Sequence, residues 1–128
     1  MEKQIEANVE WAKAFVGVTE IYRKVGVDVV LRDAPYLIVA TVPQEFSLGH
    51  DNARFSLEYV ELYATAMGLG TCWAGFVEMA AGAQCKPILE AMQIPDGFAV
   101  AGVMMLGYPK HTYQRLVDRN PLKVTWLA

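Results

Sequence analysis

A cysteine, a tryptophan and three glycines fall within the ten residues Met67-Gly68-Leu69-Gly70-Thr71-Cys72-Trp73-Ala74-Gly75-Phe76. Glycines at 68, 70 and 75 remove the Cβ three times in eight residues, so the backbone is free to adopt φ > 0 or to lie against something flat. Such a stretch offers main-chain N–H and C=O groups to a ligand in place of titrating side chains. The same pattern fits a helix C-cap at Gly68 followed by a close-packed core turn. A glycine cluster alone does not separate the two readings.

The remaining chemistry-bearing residues are scattered. Cys72 and Cys85 are separated by twelve residues, with no CxxC or zinc-like spacing. Cys72 beside Trp73 invites a thiol-redox reading that would use Cys72 and Cys85. With no neighbouring base or second close cysteine, the residues favour a small buried apolar role, and buried thiols in a reducing cytosol are expected for both. His50 and His111 occupy loop positions without ligand-like spacing and read as surface residues. Glu58 and Glu61 form the polar edge of a helix. No side chain is assigned a catalytic role, and no metal site is expected.

Three main elements must position the glycine stretch. Residues from about Glu2 to Lys24 read as an amphipathic helix, with Ile5, Val9, Ala12 and Val16 on one side and Glu2, Lys3, Glu6, Glu10 and Lys13 on the other. Gly17 is a possible break and Gly26 a stop. After Pro35, which biases Ala34 towards extended geometry, Tyr36 to Thr41 is an apolar run suited to a strand covered on both faces. Gln44 to Gly49 reads as an exposed loop, the most mobile in the chain. Asp51 is the expected N-cap of a helix over Asn52 to Met67. Its apolar residues run nearly all round, which predicts burial, with a subunit interface as the natural place.

Beyond the glycine stretch, Glu78 to Gly82 has no clear assignment. Lys86 to Met92 reads as a short helix with Pro87 in its first turn, Ile94-Pro95-Asp96-Gly97 as a turn, and Phe98 to Gly107 as a second buried strand. Gly102 there permits close approach of a helix or ligand. Leu122 to Leu127 alternates like an added edge strand. The pattern is α/β (α+β) with only two central strands, and a sheet of two is marginal. Pairing with another chain, or membership of a larger fold, is therefore expected.

Composition narrows the class. The 128 residues suit one domain, 54% are apolar and 20% charged, and that apolar excess in a small chain calls for a partner chain or a bound flat ligand. A formal charge of −3 with a pI near 5.3 argues against nucleic acid. The polar N-terminus, Met1-Glu2-Lys3-Gln4, does not read as a signal peptide. No apolar run approaches the roughly 20 residues of a membrane helix. A cytoplasmic location is expected.

Several segments taken in order resemble the C-terminal half of the nitroreductase family. They are Ala34-Pro35-Tyr36-Leu37-Ile38-Val39-Ala40, Leu62-Tyr63-Ala64 with Gly68-Leu69-Gly70-Thr71-Cys72-Trp73-Ala74-Gly75, Ile94-Pro95-Asp96-Gly97 and Leu106-Gly107-Tyr108-Pro109-Lys110. Tyr113-Gln114-Arg115-Leu116 and Arg119-Asn120-Pro121 follow. The likeness runs from about Gly17 to Trp126 and is greatest to the branch often fused to a ferredoxin-like iron–sulfur domain. It implies an FMN-dependent oxidoreductase working as an intertwined homodimer, with a central sheet flanked by helices and completed by dimerisation. Hydride would pass from NAD(P)H through the flavin to a nitroaromatic, quinone or related acceptor.

By the same resemblance, a backbone N–H of Ala74 or Gly75 reaches flavin N5 with Trp73 just before them, and Arg119 lies near the FMN phosphate. Oriented main-chain donors suit charge developing on the flavin ring, and a guanidinium suits a phosphate. Lys110 and Arg115 are secondary candidates for the phosphate, and both also read as a solvated basic tail. The sequence departs from the family in lacking its early Arg-x-Ser segment, its Asn/Gln-Pro-Trp segment and any iron–sulfur cysteine set. The expectation is a single nitroreductase-like domain over residues 1–128, N-terminally truncated relative to the family. The alternative is a remnant that dimerises without flavin and has no catalytic activity.

Overall fold

The computed structural model describes residues 16–115 and 117–127. The first part of the expected N-terminal helix, with Ile5, Val9 and Ala12, lies outside the described residues. The described part is helix α1 (Val16–Val25), which has Gly17 as its second residue. Next come strand β1 (Tyr36–Pro43), helix α2 (Gly49–Ala66), strand β2 (Gly70–Trp73), helix α3 (Gly75–Gly82), helix α4 (Lys86–Ala91) and strand β3 (Phe98–Gly107).

The sheet is antiparallel, in the order β1-β3-β2. β3 is the middle strand, and its residues Ala101 to Met105 are buried. Helix α2 covers one face, packing on all three strands, and α3 covers the other with α4 beside it. Sequence alone suggests two central strands, whereas the described residues form a sheet of three. β2 is only four residues long and acquires its identity from pairing, with Gly70 opposite Gly107 and Trp73 opposite Met104.

A bulge sets which side chain meets which helix. Ala40 pairs with Gly102 but Thr41 with Val100, so Ala101 is an extra residue in β3. Val100, Val103 and Met105 therefore join Ala74, Val77, Leu37 and Val39 in a core under α3 and α4. Ala101 joins Val42 and Ala53 under α2. Gly102 allows α2 and β2 to approach β3 closely. A Cβ there would lie 2.6 Å from Leu57 Cδ1 and 3.0 Å from Trp73 Cζ3.

Several expectations need correction. Asp51 is not the N-cap of α2: Leu48 occupies that position without a side-chain bond, because the helix starts three residues earlier than expected, at Gly49, packed against Val42. Asp51 sits in the first turn, where its charge complements the helix dipole. Helix α2 is not buried all round within this chain. Only Gly49, Ala53, Leu57 and Ala64 are buried, while Phe55, Tyr59, Leu62, Tyr63 and Met67 are exposed. Residues 122–127 form no strand: they pair with neither outer edge of the sheet, and alternation by itself does not make one.

The helix ends follow the expected chemistry. At the end of α2, Gly68 (φ +76) closes a Schellman motif: Leu69 N–H donates to Ala64 O at 2.9 Å and Gly68 N–H to Thr65 O at 3.0 Å. Pro87 stands in the first turn of α4. The exposed loop 44–48 is held by turn bonds, with Gln44 N–H donating to Gly97 O at 2.9 Å. Among the described residues, no helix is long and apolar enough to cross a membrane.

Candidate functional site

The site is built where β2 turns into α3. Ala74 N–H continues the ladder by donating to Val103 O at 2.8 Å. A regular antiparallel pair would return a bond from Val103 N–H to Ala74 O. That carbonyl has instead turned into the helix, where it accepts from Val77 N–H at 2.9 Å and Glu78 N–H at 3.1 Å. Val103 N–H is taken by the Glu78 carboxylate, Oε1 at 2.8 Å. The chain thus passes from strand to helix without leaving the buried Val103 amide unpaired.

Gly75 opens α3. Its N–H has no partner among the described residues, as expected for the first residue of a helix with no side-chain cap. The space above it is open: a Cβ built on Gly75 meets nothing within 4 Å. A cavity of about 450 Å³ adjoins it, lined by Val29, Val30, Arg32, Trp73, Ala74, Gly75, Phe76, Glu78, Met79 and Met105. Its wall is mostly apolar, with one guanidinium and one carboxylate, a composition that suits a flat apolar ligand with a few polar edges. A second cavity, shared with α2, is lined by Arg54, Phe55, Glu58, Trp73 and Glu78.

Arg32 reaches the site from a tight loop. The Asp28 carboxylate accepts from Val30 and Leu31 N–H at 3.0 and 2.9 Å. Arg32 and Asp33 then take left-handed φ angles of 54° and 56° before Pro35, a conformation uncommon for residues with a Cβ. Arg32 also borders a third cavity of about 370 Å³, which includes Cys72, Tyr108, Lys110 and His111.

The structure brings Trp73, Ala74 and Gly75 together on one cavity wall. The Ala74 N–H is engaged by Val103, which leaves Gly75 as the donor of the pair open to a ligand. Arg119 is exposed on the tail and lines none of these cavities within the single chain. Lys110 borders the third cavity. Arg115 is exposed and lies 3.8 Å from Asp118. His50 is exposed in the first turn of α2, and His111 is exposed on the tail.

Cys72 corrects the expectation of a buried thiol. It is exposed because β2 is an edge strand and the chain leaves the sheet two residues later, with no helix over its outer side; Cys85 is buried. Among the described residues, no group of three or more His, Cys, Asp or Glu is arranged to hold a metal ion. Sequence reasoning passed over Arg32 and Glu78. Glu78 did carry a signal, as the only charged residue between Glu61 and Lys86. A lone charge in so apolar a stretch requires a partner or a function.

Comparison with known proteins identifies the family and the fold. A profile described as the nitroreductase family matches residues 2–108. Among solved structures, a nitroreductase with bound FMN from Bacteroides fragilis superposes with a TM-score of 0.59 at 19% identity, covering 77% of this chain and 54% of its own. One with bound FMN from Desulfitobacterium hafniense gives 0.59 at 20% identity, covering 81% and 56%. An FMN-dependent nitroreductase from Clostridium difficile gives 0.55 at 23% identity, covering 68% and 53%. These likenesses show a shared fold, and the chain spans about half the length of the structures it matches. No curated protein matches the chain.

Proposed function

The chain belongs to the nitroreductase family, and we propose from that premise that it supplies the flavin shelf of an FMN-dependent oxidoreductase. The observation that carries this reading is the Gly75 N–H, without a partner among the described residues, at the edge of an open, largely apolar cavity. Two of the solved structures of this fold contain FMN. When bound, FMN would take hydride from NAD(P)H and deliver it to a nitroaromatic, quinone or related acceptor.

The protein's part is placement and electrostatics. Gly75 N–H would donate to the ring edge, in the position that the resemblance assigns to N5, and the missing Cβ would leave room for the ring. Phe76, Met79 and Met105 exclude water from one side of the cavity. Arg32 sets a positive charge beside it, which favours a ring that gains negative charge on reduction. Trp73 fixes the shelf from below by packing over Gly102. Arg119 is assigned to the FMN phosphate and acts from the tail of a second copy, since in one chain it lies outside the cavity wall.

A homodimer completes the proposal. The exposed aromatic face of α2 is the surface a partner would cover. A reducing, cytoplasmic setting suits two cysteines that share no disulfide. The likeness to the ferredoxin-fused branch adds no donor within these residues, so NAD(P)H is taken as the source of hydride.

A rival reading, a dimer without flavin, draws on one observation: Arg119, the tail's phosphate candidate, is absent from the cavity wall. Titration with FMN decides between them. Bound flavin retained through gel filtration, with NAD(P)H oxidation on adding a quinone, supports the oxidoreductase. A colourless dimer that leaves FMN fluorescence unchanged supports the rival.

A further inference from the structure

We infer that Glu78 is the positioning residue of this shelf: its carboxylate holds Val103 N–H so that Gly75 presents its own N–H to the ligand. The inference rests on the flavin reading of the cavity. Its physical basis is a substitution within the ladder. Ala74 still donates to Val103 O at 2.8 Å, but its carbonyl has left to start α3, and Glu78 Oε1 takes its place at 2.8 Å. Glu78 lies one turn beyond Ala74 on the same helix, so one residue pair clamps the first turn of α3 to the middle strand at two points.

The consequence falls on Gly75, which lies between the two clamps in sequence. With both bonds made, the first turn of α3 has one orientation relative to the sheet, and so does the Gly75 N–H. Without the carboxylate, the Val103 amide is fully buried and lacks an acceptor. The first turn of α3 then keeps one hydrogen bond to the middle strand, from Ala74 N–H to Val103 O, beside the packing of Val77, and its orientation is less sharply fixed. Preorganised donors act at full strength only while their direction is fixed. Glu78 touches no reacting atom in this account; it acts through Val103 and Ala74.

Two variants of the purified chain separate the bond from the charge. Glu78→Gln keeps a carbonyl-type acceptor for Val103 N–H and loses the charge, while Glu78→Ala loses both. Two measurements are made on each: amide hydrogen exchange at Val103 and Ala74, with Ile38 on β1, opposite Met104, as an internal reference, and FMN affinity by fluorescence titration. Support takes the form of exchange at Val103 and Ala74 faster by about tenfold or more in Glu78→Ala, FMN affinity weaker by a similar factor, and both restored in Glu78→Gln. Unchanged exchange in Glu78→Ala overturns the inference, as does faster exchange with unaltered FMN affinity. Loss of affinity in Glu78→Gln with parental exchange also overturns it, by assigning the effect to charge. Should the parent itself take no FMN, the flavin reading fails and this role for Glu78 with it. That failure is visible in the parent, whereas failure of the inference alone is visible only in the variants.

Discussion

Helices α2 and α3 pack on opposite faces of one sheet and place their surplus apolar residues differently. In α3, the exposed side chains Phe76 and Met79 border a concavity. In α2, Tyr59 (75% exposed), Leu62 (62%) and Tyr63 (70%) stand on a convex face and line none of the three cavities described above. A concavity of about 450 Å³ has the dimensions of a small-molecule site. A convex aromatic stripe on a helix of eighteen residues matches the anatomy of a protein interface. Under the proposed function, cofactor recognition falls to the short helix and assembly to the long one.

The largest expected effect tests whether α2 also holds the fold together. Leu57, on its inner face, is 3% exposed, and Leu57→Ala is expected to destabilise by about 3 kcal/mol or more, read from chemical denaturation. Stability changed by less than about 1 kcal/mol would mean that α2 serves assembly alone.

Gly75→Val tests the α3 side. The added side chain enters open space above the shelf, so folding should change by less than about 1 kcal/mol, while FMN affinity falls by about a hundredfold, near 3 kcal/mol. Retained affinity would remove Gly75 from the site. On α2, Tyr59→Glu should weaken self-association by about 2 kcal/mol and leave FMN-independent secondary structure intact, as measured by sedimentation and circular dichroism. A sedimentation profile matching the parent's would move the interface elsewhere.

The smallest effect tests the junction between the two helices. Gly68→Ala places a Cβ in a left-handed cap and should cost about 1 kcal/mol without altering FMN affinity or association. A change in either would couple the end of α2 to the site beyond β2.

Much of this arrangement could be read from the residues. The strands around Tyr36 and Phe98, the cap at Gly68 and the proline-started helix at Lys86 each follow from local rules of burial, φ preference and missing N–H groups. What escaped depends on partners distant in sequence. Gly70 to Trp73 is a strand only because Met104 to Gly107 lies alongside. The exposure of Cys72 follows from that strand's place at the edge, which no local pattern encodes. Leu122 to Leu127 alternates like a strand yet pairs with neither outer edge of the sheet. For the shelf, the glycines pointed to the correct turn, but choosing between Ala74 and Gly75 required knowing that Val103 engages one of the two amides.

The doubled step at Ala101 and Gly102 also bears on how this strand can change length. Both residues stand opposite Ala40 and face α2. Removing either one leaves ordinary alternation, with every remaining side chain of β3 on its present side. Removing any other residue of the strand turns one part over relative to the rest and carries apolar groups to the wrong layer. In descendants of this chain, single-residue deletions within β3 should therefore be confined to that one step.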